Sequence, residues 1–122
     1  MLPIIIGDDF VRVATITNQD GTPYNLAGCA LWFTATKRRG QPDSESTVRL
    51  YWDAAGASDG IVVPSMAAGI ATVRMTPAQT ELFAQGAYYY DLQIDDAAGR
   101  VATIDRGVLV AQWAPTTSRV AP

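Results

Sequence analysis

The chain contains no histidine. That removes the commonest general base, the base of the usual serine and cysteine triads, and the commonest zinc ligand. Cysteine is almost as scarce. Cys29 stands alone, which excludes an internal disulfide framework and, with histidine missing, a zinc or iron–sulfur centre built within one chain. The expectation is a chain made in a reducing cytoplasm that is not an enzyme and holds no cofactor or metal. Long apolar runs are missing too: nothing approaches the roughly 18 residues of a membrane span. The opening Met1-Leu2-Pro3-Ile4-Ile5-Ile6 lacks a basic region and is cut off by Gly7-Asp8-Asp9, so no signal peptide is expected. Charge is sparse, with 9 Lys and Arg against 12 Asp and Glu and a net charge of −3. A mild acidity of this kind argues against a nucleic-acid partner held by counterion release, and no membrane partner is expected.

What remains is a chain of 122 residues, 48% hydrophobic and 17% charged, a composition that folds. One domain is expected over residues 1–113, with an N-terminal arm at 1–8 and an exit segment at 114–122. The hydrophobic pattern alternates in short β-rich runs broken by turns. Strands are expected at 10–17, 27–37, 48–52, 61–63, 69–75, 87–95 and 100–113. Asp20-Gly21 and residues 96–99 supply turns. In the second run Cys29, Leu31, Phe33 and Ala35 share one face and Ala30, Trp32, Thr34 and Thr36 the other. In the run from 87 to 95, Tyr88, Tyr90, Leu92 and Ile94 oppose Tyr89, Asp91, Gln93 and Asp95. Gly107 interrupts the alternation of the last run, which predicts a bend or bulge there. The only helical signal is 76–83, with Thr76 as N-cap, Pro77 at the first helical position and Gln79 completing a capping box. About seven strands at turn spacings of about ten residues predict an all-β, antiparallel β-sandwich with one short helical crossover. The two apolar faces are expected to close on one another, and a small barrel is the alternative architecture.

Asp91, Gln93 and Asp95 line one strand face, an arrangement a glycosidase or a hard-metal site could use, but alternation puts polar residues on a solvent face in any case. A carboxylate-only hydrolase is therefore the third reading, after a structural and a carbohydrate-binding role. Cys29 lies with Leu31 and Phe33 and reads as an inert core thiol. Lys37-Arg38-Arg39 is the one dense basic cluster, a solvated loop or one end of an electrostatic contact with a neighbouring subunit. Trp32 and Tyr89 point away from the expected core, which suggests a contact surface or a covered one. Trp52 and Trp113 fall at strand ends, where they could pack an edge or stack on sugars. Ile4-Ile5-Ile6 either pairs within the domain or is covered by another subunit, since an open β-branched edge invites aggregation. The candidate interface residues are thus Ile4, Ile5, Ile6, Trp32, Arg38, Arg39, Tyr89 and Trp113.

The order of motifs has a resemblance. Gly7-Asp8-Asp9-Phe10 precedes the first strand, and Asp20-Gly21-Thr22-Pro23-Tyr24-Asn25-Leu26-Ala27-Gly28 leads into Leu31-Trp32-Phe33-Thr34-Ala35. Gly69-Ile70-Ala71-Thr72-Val73, Thr76-Pro77-Ala78-Gln79, Gly86-Ala87-Tyr88-Tyr89-Tyr90-Asp91-Leu92, Gly99-Arg100-Val101 and Gly107-Val108-Leu109-Val110 follow in order. Across residues 4–113 the chain resembles small β-sandwich proteins of tailed bacteriophages, particularly the N-terminal domain of phage baseplate upper proteins. The resemblance implies an immunoglobulin-like sandwich that builds a virion part, with other virion structural proteins, or further copies of itself, as partners. It carries over no catalytic or ligand residues. Baseplate upper proteins continue into a long extension where this chain has only residues 114–122. The expectation is therefore a small tail, baseplate or head-attached component, not a fibre-bearing one. A carbohydrate-binding or adhesive β-sandwich is the alternative function.

Overall fold

The computed structural model describes residues 2–114. Two sheets form a sandwich-like arrangement. The larger has six strands in the order β1–β9–β8–β3–β4–β5, and the smaller has three in the order β2–β7–β6. The strands are β1 (Leu2–Ile6), β2 (Phe10–Thr15), β3 (Ala30–Thr36), β4 (Val48–Asp53), β5 (Ser58–Asp59), β6 (Ile61–Ser65), β7 (Ile70–Met75), β8 (Gly86–Asp95) and β9 (Val101–Trp113). The two strands beyond the expected count are β1 and the two-residue β5. Among the named strands all pairings are antiparallel except β1 with β9, which is parallel and joins the first described strand to the last.

The expected N-terminal arm is therefore a strand of the fold. Its alternation decides this: Leu2, Ile4 and Ile6 project into the core while Pro3 and Ile5 face outward. Three apolar side chains on one face gain more from burial than a free arm could, at about 1.5–3 kcal/mol each. Pro3, exposed in this edge strand, lacks an N–H and limits further pairing along it.

Leu31, Phe33 and Ala35 are buried, as are Tyr88, Tyr90, Leu92 and Ile94, but they do not oppose one another across the layers. β3 and β8 are neighbours in one sheet, with Phe33 beside Leu92 and Ala35 beside Tyr90. The opposite layer is supplied by Phe10 of β2, Ile61 of β6, and Ala71, Val73 and Met75 of β7. Cys29, Leu26 and Ile16 complete the same core from the connecting segments.

Residues 27–29 are a turn leading into β3, because the Cys29 N–H donates to the Leu26 carbonyl at 3.1 Å. The turn between β6 and β7 requires Gly69. Its φ is +66°, and a Cβ there would lie 2.4 Å from the Ile16 carbonyl oxygen.

The helix α1 is one turn, Pro77–Thr80, shorter than the expected 76–83 but begun by the expected capping box. The Gln79 N–H donates to Thr76 Oγ1 at 3.3 Å, and the Thr76 N–H donates to Gln79 Oε1 at 2.9 Å. Thr80 is fully buried, and its hydroxyl ties the crossover to the β1–β2 turn. It accepts from the Gly7 N–H at 3.0 Å and reaches the Asp8 carbonyl at 2.8 Å.

The bulge in β9 lies at Ile104, not at Gly107. Leu92 pairs with Asp105 and Gln93 with Thr103, which leaves Ile104 as the extra residue. Gly107 has another cause. It pairs with Tyr90, whose ring and hydroxyl would stand 3.2–3.4 Å from a Cβ at that position, so the glycine makes room for a cross-strand tyrosine.

Candidate interaction surface on the six-stranded sheet

With Leu31, Phe33 and Ala35 committed to the core, the period of two turns Trp32, Thr34 and Thr36 outward. The same rule applied to β4 turns Arg49, Tyr51 and Asp53 outward, and applied to β8 it turns out Tyr89, Asp91, Gln93 and Asp95. Register then aligns these rows. Trp32 sits between Tyr51 and Gln93, Thr34 between Arg49 and Asp91, and Thr36 beside Tyr89.

The segment between β3 and β4 folds back over this face. Thr36 Oγ1 donates to the Arg38 carbonyl at 3.1 Å, and the Arg38 N–H donates to Gln41 Oε1 at 2.9 Å. A short 3₁₀ turn, Asp43–Glu45, follows, and Asp43 meets Arg49 at 3.2 Å. Sheet and loop together enclose a hollow of about 270 Å³ lined by Trp32, Thr34, Arg39, Asp43, Arg49, Tyr89 and Asp91, among others.

Cations and rings alternate around it. The Arg49 guanidinium lies 3.9 Å from the centre of the Trp32 ring, and Arg39 lies 4.8 Å from that of Tyr89. Trp32 also packs on Tyr51 at 4.1 Å with a 48° tilt. These contacts hold planar guanidinium groups in fixed orientations on an exposed face, each contributing about 0.5–1 kcal/mol. Tyr51 in turn donates to Asp53 Oδ2 at 2.7 Å, which holds the Asp53 carboxyl below the usual carboxylate range, with the Ala57 N–H adding to the effect. Asp91 is the reverse case. Burial raises its pKa, the neighbouring Asp43 charge adds to the rise, and its carboxylate has no hydrogen-bond or ion-pair partner among the described residues.

Of the residues expected to form a contact surface, the fold brings together Trp32, Arg39 and Tyr89. Arg38 sits in the same loop, exposed but outside the hollow. Ile4 and Ile6 are removed from that set, being 2% and 3% exposed inside the core, while Ile5 is half-buried on the outer side of β1. Trp113 is 60% exposed at the end of β9 beside Ile6, five residues beyond Val108, the partner of Tyr89.

Trp52 is 9% exposed and packed in the core, so it offers no sugar platform, and the rings of Trp32 and Tyr89 already carry arginines. Cys29 is buried, and burial raises its pKa, which keeps it a thiol. Among the described residues no three His, Cys, Asp or Glu side chains are grouped to hold a metal, and no helix is long and apolar enough to cross a membrane.

Arg49 and Tyr51 were missed as site residues although the alternation of Val48, Leu50 and Trp52 would have turned them outward. Asp43 was not findable, because nothing local predicts that its loop returns over the sheet. In comparisons with known proteins, the chain matches no protein-family model and no curated protein.

Proposed function

We propose that the chain is a non-enzymatic structural component of a tailed-phage virion, of the immunoglobulin-like sandwich kind, made in the host cytoplasm and docking on other virion proteins. The observation that carries the docking role is the convergence of Trp32, Tyr89, Arg39 and Arg49 on one exposed, concave sheet face. Tryptophan, tyrosine and arginine are the side chains that dominate binding energy in protein–protein contacts, because they bury large areas at small entropic cost and still satisfy polar groups. Stacking the guanidinium groups on the rings fixes them before the partner arrives, which lowers the cost of ordering on association. The particle assignment rests on the ordered motifs from Gly7-Asp8-Asp9-Phe10 to Gly107-Val108-Leu109-Val110.

The test is negative-stain electron microscopy of particles released by the source culture, stained with gold-labelled antibody against the chain. Label at a fixed place on tailed particles is the expected result, and particles that remain unlabelled overturn the virion reading. A Trp32→Ala/Tyr89→Ala variant is expected to keep the β-rich circular dichroism spectrum and enter particles at below about a tenth of the normal level, two lost anchors being worth well over 1.4 kcal/mol. Undiminished incorporation of that variant removes the face from the contact.

A further inference from the structure

The outer face of the six-stranded sheet is polarised along its strands. At one end Ala30 lies between Asp53 of β4 and Asp95 of β8, so two carboxylates flank a single methyl group. Both charges are felt at the same hydroxyl. The Tyr51 pKa is raised first by its hydrogen bond to Asp53, then by desolvation and the Coulombic fields of Asp53 and Asp95. At the other end the loop after β3 carries Arg38 and Arg39, with Arg39 held on Tyr89. Of the acids that line the hollow with Arg39, Asp43 is already paired with Arg49, which leaves Asp91 as a single carboxylate against the three cations of Lys37-Arg38-Arg39. Between the ends lies the Trp32–Tyr51 ring pair. The ends differ in bulk as well as charge. The basic loop folds over the sheet to wall the hollow, whereas the outward residue between the two carboxylates at the acidic end is the small Ala30.

We propose that a second copy of this chain docks on this face about a two-fold axis, strands antiparallel, with Arg38 and Arg39 of each copy against Asp53 and Asp95 of the other. An isologous contact requires a surface that complements itself after the two-fold rotation. A face with one positive and one negative end does so in the antiparallel arrangement and repels itself in the parallel one. A uniformly acidic or uniformly basic partner would satisfy one end and be opposed at the other, so the charge pattern selects a copy of the same chain. The loop of each copy then meets the Ala30 end of its mate, and the two Trp32–Tyr51 pairs lie near the axis. This pairing rests on the reading of the face as an interaction surface and is independent of the particle in which it operates.

The experiment is sedimentation equilibrium of the purified full chain over a concentration series at about 0.1 M and about 1 M salt, between which the screening length falls from about 10 Å to about 3 Å. The expected result is a monomer–dimer equilibrium weakened about tenfold or more at the higher salt, because its charge pairs lie at the two ends of the contact. Arg39→Glu and Asp95→Arg are each expected to yield monomers, and an equal mixture of the two variants is expected to dimerise again, because one end of the mixed pair keeps the native Arg39–Asp95 contact and the other carries the same contact with its charges exchanged. Both sites are on the surface, and circular dichroism verifies that each variant folds. A wild-type chain that stays monomeric at every concentration overturns the proposal, as does a dimer indifferent to both charge reversals. A monomeric chain that still labels tailed particles overturns the two-fold pairing and leaves the virion reading standing. A dimer whose antibody labels no particle does the opposite.

Discussion

A few side chains at special positions each hold a piece of backbone that pattern alone would leave loose. Thr80 is the clearest. It is the one buried polar residue among those described, and its hydroxyl bonds to the β1–β2 turn across more than seventy positions of chain. Replacing it with valine keeps the volume and removes both bonds. Thr80→Val is expected to lower the free energy of unfolding by about 1–3 kcal/mol, the worth of two hydrogen bonds at about 0.5–1.5 kcal/mol each. Urea unfolding read by circular dichroism measures it, and a midpoint equal to that of the wild type would contradict the assigned role. Asp91 shows a different logic. Its carboxylate is penalised by burial and by the charge of Asp43, so it subtracts from stability in the charged state and its presence on the face is not explained by folding energy.

At the scale of elements, β1 shows most directly how neighbours in space differ from neighbours in sequence. It pairs in parallel with β9, placing Leu2 beside Leu109 and Ile6 beside Trp113. Ile4 is among the largest fully buried side chains, so Ile4→Ala is expected to cost about 2–5 kcal/mol, measured by the same urea titration. Deleting residues 1–6 removes the whole strand. It is expected to leave a chain that has lost most of the roughly 5–15 kcal/mol of a typical domain, with a weakened β spectrum at room temperature. A deletion that unfolds at the wild-type midpoint would return this segment to the status of an arm. The two sheets are also tied across their open side. Arg12 of β2 reaches Asp105 of β9 at 2.8 Å, one residue from the bulge at Ile104. That pair is partly exposed, and its contribution is in the range of about 0–1 kcal/mol.

Taken as a whole molecule, the sandwich has an acid-sensitive set of carboxylates at its turns. Asp20 is held below its ordinary pKa of 3.8 by hydrogen bonds from Thr22, Asp53 by Tyr51 and the Ala57 N–H, and Asp96 by the Arg100 and Ala98 N–H groups. A depressed pKa stabilises the fold above the unfolded value and is lost as the pH falls through the folded one. The melting temperature is therefore expected to be flat from neutral pH down to about 5 and to decline below about 4, where these carboxylates take up protons. Asp91 acts with the opposite sign, since its raised pKa favours the folded state once it is protonated, which flattens the start of the decline. Scanning calorimetry from neutral to acid pH checks this. A melting temperature that rises steadily through the window below about 4 would show that relief at Asp91 outweighs the three turn carboxylates.

The sequence alone determined which side of each strand faces the core. Alternation in Leu31, Phe33 and Ala35, and in Tyr88, Tyr90, Leu92 and Ile94, is a local property of the extended chain, and so is the capping box of Thr76 and Gln79. These are satisfied within a few residues, and the structure keeps them. Trp32 and Tyr89 followed as outward residues for the same reason. Which strands become neighbours was decided by the tertiary structure, because pairing depends on groups far apart in the chain. Thus β3 and β8 lie side by side and not face to face, and Leu2–Ile6 closes on β9. Gly107 was visible as an irregularity, but its cause, the Tyr90 ring across the strand, is a long-range contact, and the actual bulge at Ile104 leaves no local mark. The hollow depends on the same distinction. Its floor was written in the alternation, whereas its wall is a loop whose return over the sheet depends on Asp43 meeting Arg49 and on the hydrogen bonds around Arg38, contacts that exist only once the sheet beneath them has formed.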